Sequence, residues 1–284
     1  MSRNLRIGVP SKGRLADVAE GLLKEAGLSF RRQSRSLFAR VREVPIDVTF
    51  LRTDDIPVLV AEGAIDMGIT GSDLIAEADV DVLTRLELGV GTCRLAICVP
   101  EESTIQSAAD LAGKRVATSF PHVTKTYLAS HNVEVHLVEL SGSVEIMIGL
   151  GFADAIVDLV QTGSTLAANR LRVFDEVGRY ETVLIQNHQT ADQALADRVM
   201  RRLEGVVIAR SYSLLEYNVS RKKLAAAEEI TPGFNSPTVS ALEDADWCAV
   251  RVMVHSSEVI EIMERLEELG ASAILETRIA NCRL

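Results

Sequence analysis

Hydrophobic positions in the first part of the chain follow two alternating periods. Short β-branched apolar runs at 5–10, 37–41, 46–51, 65–70, 86–91 and 94–99 have the length and composition of buried strands, as do 115–118, 133–138, 155–160, 171–177 and 182–186. Between them, apolar residues recur at helical spacing at 15–26, 54–60, 72–78, 107–111, 121–129, 144–149, 166–170 and 191–204. Beyond 206 the rhythm changes. One or two strands fall within 206–219, followed by a helix at 220–229 and a turn-rich loop at 231–237. A hairpin with arms 239–242 and 248–255, a helix at 259–269 and a strand at 272–279 complete the chain.

Strands alternating with helices predict parallel sheet. The alternation restarts near 94, and the 182–186 strand carries the chain back, so two α/β lobes joined by two crossings are expected, with strand ends facing a cleft. The lobes are placed at 1–90 with 185–205 and at 91–184, and a further domain at 206–284. Its order of strand, helix, strand, strand, helix, strand is that of a ferredoxin-like (ACT-like) α+β module.

Composition narrows the functional classes. At 284 residues, with 47% hydrophobic and 25% charged residues, the chain has ample core for two or three domains. Neither a secretory signal nor an apolar run of membrane-spanning length is present, so a cytoplasmic protein without membrane association is expected. A net charge of −10 argues against nucleic-acid binding, which needs a basic surface. Small anions need only local cations, and Lys12, Arg14, Arg31, Arg32, Arg35, Arg40, Arg42 and Arg52 supply them. Cys93, Cys98, Cys248 and Cys282 have no zinc-site spacing and read as small apolar residues.

The richest stretch for chemistry runs from Ala153 to Leu166. A buried strand carries Asp158 near its carboxyl end, and Thr162-Gly163-Ser164-Thr165 then opens a helix. Hydroxyls, backbone amides and the positive end of a helix suit a phosphate, while the carboxylate upstream suits the vicinal hydroxyls of a ribose. Alone, such a tetrapeptide is more often only an ordinary N-cap. The pattern of strand, basic or hydroxyl turn and helix recurs at Ser11-Lys12-Gly13-Arg14 and at Gly71-Ser72-Asp73. By position, Lys12 and Arg14 are phosphate ligands or solvated loop charges. Asp54 and Asp55 read as helix caps, and His122 as a phosphate donor or a capping residue.

Glu145, Gly151, Ala153, Ile156, Asp158, Leu159, Thr162, Gly163, Thr165 and Leu166, in this order over 22 residues, resemble the signature of the ATP phosphoribosyltransferases, which open histidine biosynthesis. The resemblance implies the fold of the type II periplasmic binding proteins, and the joining of ATP to 5-phosphoribosyl 1-diphosphate through a ring nitrogen of adenine. Thr162, Gly163, Ser164 and Thr165 would take the ribose 5-phosphate and Asp158 the ribose hydroxyls. Asp154, at the strand's other end, is either part of the donor set or structural. Lys12, Arg14 and Arg52 are candidates for the diphosphate or the ATP phosphates, with Arg35 behind them, and Gly71, Ser72 and Asp73 for the ATP side. Glu145 orients a donor or starts a helix. Mg2+ would bridge the diphosphate with few protein ligands.

In the long form of the family, a tail of this kind binds histidine and inhibits. Phe234, Thr238 and Ala273 fall at its ligand contacts, and Asn218 falls where some members carry an acid. Dimers assembling into a hexamer are also implied. Two rival readings are a solute-binding protein, which would need an export signal, and a non-catalytic regulatory subunit, which should have lost the phosphate turn.

Overall fold

The computed structural model describes residues 3–33, 36–161 and 163–283. The chain divides into two compact units: one holds the residues up to Gly21 with Ser29–Met200, the other Leu22–Leu28 with the residues from Arg201 on.

The first unit contains two lobes. Lobe I is built from β1 (Leu5–Pro10), α1 (Arg14–Glu25), β2 (Phe38–Arg40), β3 (Ile46–Leu51), α2 (Asp55–Ala61), β4 (Met67–Gly71), α3 (Ser72–Ala78) and β5 (Leu83–Glu87). Lobe II follows with β6 (Cys93–Pro100), β7 (Arg115–Thr118), α4 (Pro121–Ser130), β8 (His136–Glu139), α5 (Ile146–Gly149), β9 (Ala155–Val160), α6 (Ser164–Ala168) and β10 (Leu171–Tyr180). The chain then returns to lobe I as β11 (Thr182–Gln186) and enters α7 (Gln193–Ser211).

Strand order shows how closely the lobes correspond. Apart from the added edge strand β2, lobe I reads β3-β1-β4-β11-β5, and lobe II reads β8-β7-β9-β6-β10. Each places its second, first and third strands side by side, then a visitor, the strand by which the chain crosses in from the other lobe (β11 in lobe I, β6 in lobe II), then its fourth. The first three are parallel, and the visitors β11 and β6 run antiparallel to β4 and β9. This is the two-lobed arrangement expected of the type II periplasmic-binding-protein class. Because the parallel strands are covered on both faces, they read as near-continuous apolar runs, such as the fully buried Ile7, Val9, Val48, Ile69, Val116 and Ile156. Their carboxyl ends, where the turns into α1, α3 and α6 lie, form the candidate site.

The second unit carries β12 (Tyr212–Ser220), α8 (Leu224–Ile230), β13 (Thr238–Ala241), β14 (Trp247–His255), α9 (Val259–Leu269) and β15 (Ser272–Arg278). Its sheet, β13-β14-β12-β15, is wholly antiparallel, the ferredoxin-like order. Leu215, Tyr217 and Val219 of β12 face a core with Val259, Ile262 and Leu266 of α9. Alternate residues of β12 lie on the open face.

Two local expectations are corrected. The strand expected at 86–91 lies at Leu83–Glu87, because pairing with β11 fixes its register and Gly89 and Gly91 turn the chain at φ 62° and 68°. The helix expected to end at 204 continues as α7 through 206–211, so the 206–219 span expected to hold one or two strands holds one, β12. Leu195, Ala196, Val199, Leu203, Val206 and Ala209 are all buried at helical spacing, so the apolar 206–209 run extends a helical stripe.

Candidate active site

The turn after β9 is shaped by backbone geometry. Gly163 sits at φ 77°, a left-handed conformation in which a side chain is strained, and a Cβ there would meet nothing within 4 Å. Ser164 and Thr165 follow at the exposed start of α6, while Leu166 anchors the turn in the lobe II core. Together with Glu145, Asp158 and Gln161, these residues line a cavity of about 310 Å³. Thr162, expected to contact the same phosphate, lies outside the described residues, as does Arg35.

Alternation along β9 puts Asp158 and Leu159 on opposite sides of the strand. The Asp158 carboxylate accepts a 2.8 Å hydrogen bond from the Leu159 amide. Its proton affinity is raised, chiefly by burial and further by the Glu145 charge, against the pull of that amide. A half-buried carboxylate of raised proton affinity suits a ligand that brings hydroxyl donors. Cys98 on the neighbouring strand is pushed up to about 12 by burial and then by Asp158, so its thiol stays protonated.

Asp154 is placed elsewhere. At the amino end of β9 it accepts a 2.9 Å bond from the Arg115 amide and lies 3.8 Å from the Arg115 guanidinium. Four residues of strand separate it from Asp158, roughly 13 Å, and it lines no part of the 310 Å³ cavity.

On the lobe I side, Lys12, Arg14 and Arg52 are exposed at the ends of β1 and β3. The Lys12-Gly13-Arg14 turn is steadied from behind by Arg32, which donates to the Ser11 carbonyl at 3.0 Å, pairs with Glu20 at 3.1 Å and lies over the Phe50 ring. Arg14 reaches across the cleft, donating to the Gln161 side chain at 2.6 Å. Gln161 in turn donates to the Thr92 carbonyl at 3.4 Å. Arg14, Thr53, Gly71, Asp73, Leu159 and Gln161 share a cavity of about 450 Å³. Gln161 thus belongs to the site, although a lone glutamine after a strand carries no chemical signal in sequence.

The turn at Gly71-Ser72-Asp73 lines cavities but is internally satisfied. The Asp73 carboxylate takes the amides of Asp73 and Leu74, and its proton affinity is raised first by burial, with the Asp54 charge adding to it. The Ser72 amide donates to the Glu181 carbonyl at 2.9 Å, and the Ser72 hydroxyl accepts from the Glu181 amide at 3.0 Å. These helix-start groups are therefore not presented to a phosphate, and the three residues can contribute to a nucleotide site only as wall.

The tail residues do not meet within one chain. Phe234 packs edge-on against Tyr212, centroids 6.0 Å apart, at one end of β12. Asn218 pairs with Ser272 at the other end, beside Ala273 at φ 50°. Six residues of strand separate the ends, roughly 20 Å. Thr238 lies between them, opposite Arg251.

Two lobes in the periplasmic-binding-protein arrangement, with a carboxylate and a hydroxyl turn on one strand-end rim and cations on the other, define a cleft protein that handles a phosphorylated polar ligand. The chain matches the family model for HisG: ATP phosphoribosyltransferase over residues 52–205, and that for the HisG C-terminal domain over residues 209–281. An ATP phosphoribosyltransferase of Rhodopirellula baltica is 66% identical, covering 99% of this chain and 94% of that protein. Another, of Saccharopolyspora erythraea, is 42% identical over 99% of this chain and 100% of its own. Among solved structures, a chain of the ATP phosphoribosyl transferase (HisG:HisZ) complex from Thermotoga maritima superposes with a TM-score of 0.64 at 28% identity, covering 72% of this chain and 97% of that one. The chain belongs to the ATP phosphoribosyltransferase family, the transferases of the first step of histidine biosynthesis, which generally use a divalent metal.

Proposed function

We propose that this chain condenses ATP with 5-phosphoribosyl 1-diphosphate across the cleft, giving 1-(5-phosphoribosyl)-ATP and diphosphate, with the donor seated on lobe II. The observation that carries this reading is the open turn at Gly163-Ser164-Thr165 sharing one cavity with Asp158 and Glu145. The turn and Thr162 take the 5-phosphate, and Asp158 accepts from the ribose hydroxyls. Lys12, Arg14 and Arg52 face the diphosphate and the ATP phosphates, with Gly71, Ser72 and Asp73 as wall. Asp154 is assigned to structure.

The reaction forms a bond from the adenine ring nitrogen to the anomeric carbon as the bond from that carbon to the diphosphate oxygen breaks, and the electron pair leaves with diphosphate. Positive charge grows on the sugar and negative charge on the leaving group. The protein's work is therefore positioning and electrostatics, with Asp158 on the sugar side and the three cations on the leaving side. No general base is required, because the ring nitrogen is already a nucleophile.

Among the described residues, no three His, Cys, Asp or Glu side chains gather to hold a metal ion. Mg2+ would be held mainly by substrate oxygens, with Asp158 and Glu145 as the carboxylates that line the donor cavity. Bound there, it would neutralise charge on the departing diphosphate.

We assign histidine inhibition to the tail. Because Asn218 and Ala273 lie at one end of β12 and Phe234 at the other, tails of two chains must meet to enclose a ligand, which fits a homo-oligomer, a dimer that becomes a hexamer when inhibited. A cytoplasmic location follows from the substrates; no helix among the described residues is long and apolar enough to cross a membrane.

The test is a mixture of ATP, 5-phosphoribosyl 1-diphosphate and Mg2+, watched for diphosphate release and an ultraviolet change at adenine. Turnover requiring both substrates is expected, and none would reject the reading. Replacing Thr238 with Trp should abolish histidine inhibition while leaving turnover; retained inhibition would remove the tail from that role.

A further inference from the structure

Helix α4 of lobe II begins without a cap of its own. Its N-cap position is Phe120, a buried residue with no side-chain acceptor, followed by Pro121 in the first turn. The next two amides would be left to solvent. They are not. The Glu77 carboxylate, on α3 of lobe I, accepts from the His122 amide at 2.9 Å through Oε1 and from the Val123 amide at 3.1 Å through Oε2. A two-pronged carboxylate at a helix start gains from charge-assisted hydrogen bonds and from the helix dipole.

Helix α3 and the residue that ends it touch lobe II at three further points. Leu74, three residues before Glu77 and so on the same helical face, packs into the lobe II core with Phe120. At the start of α3, Ser72 exchanges two hydrogen bonds with Glu181, between β10 and β11. Just past its end, Asp79 Oδ2 lies 3.8 Å from His122 Nε2. Helix α3 is therefore tied into lobe II along its length, although β4 delivers it from lobe I.

We infer that Glu77 is a positioning residue for the reaction: by capping α4 in trans it latches the lobes together and sets the gap across which the nucleotide meets the ribosyl donor. This rests on the assignment of the donor to lobe II and of ATP to the lobe I rim. Glu77 lines none of the cavities that hold the candidate site residues, so it acts on the substrates only through the spacing of the lobes. Binding of the donor's ribose 5-phosphate part, confined to lobe II, should be indifferent to the latch. ATP, held from lobe I but reacting with a group on lobe II, should not.

The test compares the full-length chain with E77Q, which keeps the shape and one acceptor, and with E77A, which keeps neither. Hydrogen exchange is followed at the His122 and Val123 amides, and the affinities for ATP and for ribose 5-phosphate are measured by equilibrium binding. In E77A, exchange at 122–123 should quicken and ATP affinity fall by about ten-fold, while ribose 5-phosphate binds within two-fold of the parent. E77Q should lie between. Unchanged exchange would overturn the cap, and equal weakening of both ligands, or of neither, would overturn the positioning role. A parent chain that bound ribose 5-phosphate nowhere near 163–165 would instead reject the donor assignment, and the exchange result would still decide whether Glu77 holds α4.

Discussion

Two turns of nearly the same sequence behave in opposite ways. Gly71-Ser72-Asp73 and Gly163-Ser164-Thr165 both follow a buried strand and open a short helix at the rim of the same cleft. At the first, a Cβ on Gly71 would lie 2.0 Å from Asp73 Oδ1, because the carboxylate folds back onto its own helix start. At the second, the glycine faces open space, in a backbone conformation that glycine alone holds cheaply. The first turn is plugged by its own aspartate, whereas at the second the space beside the glycine stays open. An acid at the third position of the turn, against a threonine, makes the difference.

Substitutions can break or sharpen this contrast. The largest effect should come from Asp158→Asn, which removes the negative charge and one of the two acceptor oxygens beside the open turn. A fall of about 100-fold in kcat/KM for the ribosyl donor, or about 2.7 kcal/mol, is expected in steady-state assays, with little change in melting temperature. Gly71→Ala should instead register as stability: Asp73 must leave its two amides, costing about 2–3 kcal/mol by denaturant unfolding. Gly163→Ala meets no atom, so it should fold, but the left-handed turn carries about 1 kcal/mol of strain. It should therefore raise the donor KM about five-fold.

A pH profile separates the two acids further. With Asp158 raised above its ordinary value of 3.8, protonation of the free enzyme should bring the acid limb of kcat/KM in above that value, and Asp158→Asn should erase the limb. For Asp73 the consequence is one of stability. A carboxyl that binds its proton more tightly folded than unfolded costs stability at neutral pH, and that cost is recovered as pH falls through the folded value. Asp73→Asn should thus raise the melting temperature at pH 7 by about 1–2 °C, a gain that shrinks in acid.

Much of this was legible in the sequence because burial and chemistry were written locally. Parallel strands announced themselves as β-branched runs, and the 155–160 and 182–186 strands fall where periodicity places them. The acid and hydroxyl turn of lobe II was equally plain. Illegible features depended on partners far along the chain. The fate of the 71–73 turn hangs on Glu181 and on a side chain folding back, and Gln161 gains meaning only from Arg14, 147 residues away. Glu77 caps a helix 45 residues downstream. Helix α7 outran its expected end because β-branched residues at 206–208 suggested strand locally, while burial at helical spacing prevailed.

The most direct test is a crystal of the full chain soaked with 5-phosphoribosyl 1-diphosphate. The account predicts density for the sugar 5-phosphate against the amides and hydroxyls of 163–165, with the ribose hydroxyls within hydrogen-bonding distance of Asp158. A sugar phosphate resting on the 71–73 turn or on Lys12 and Arg14, with 163–165 empty, would contradict it.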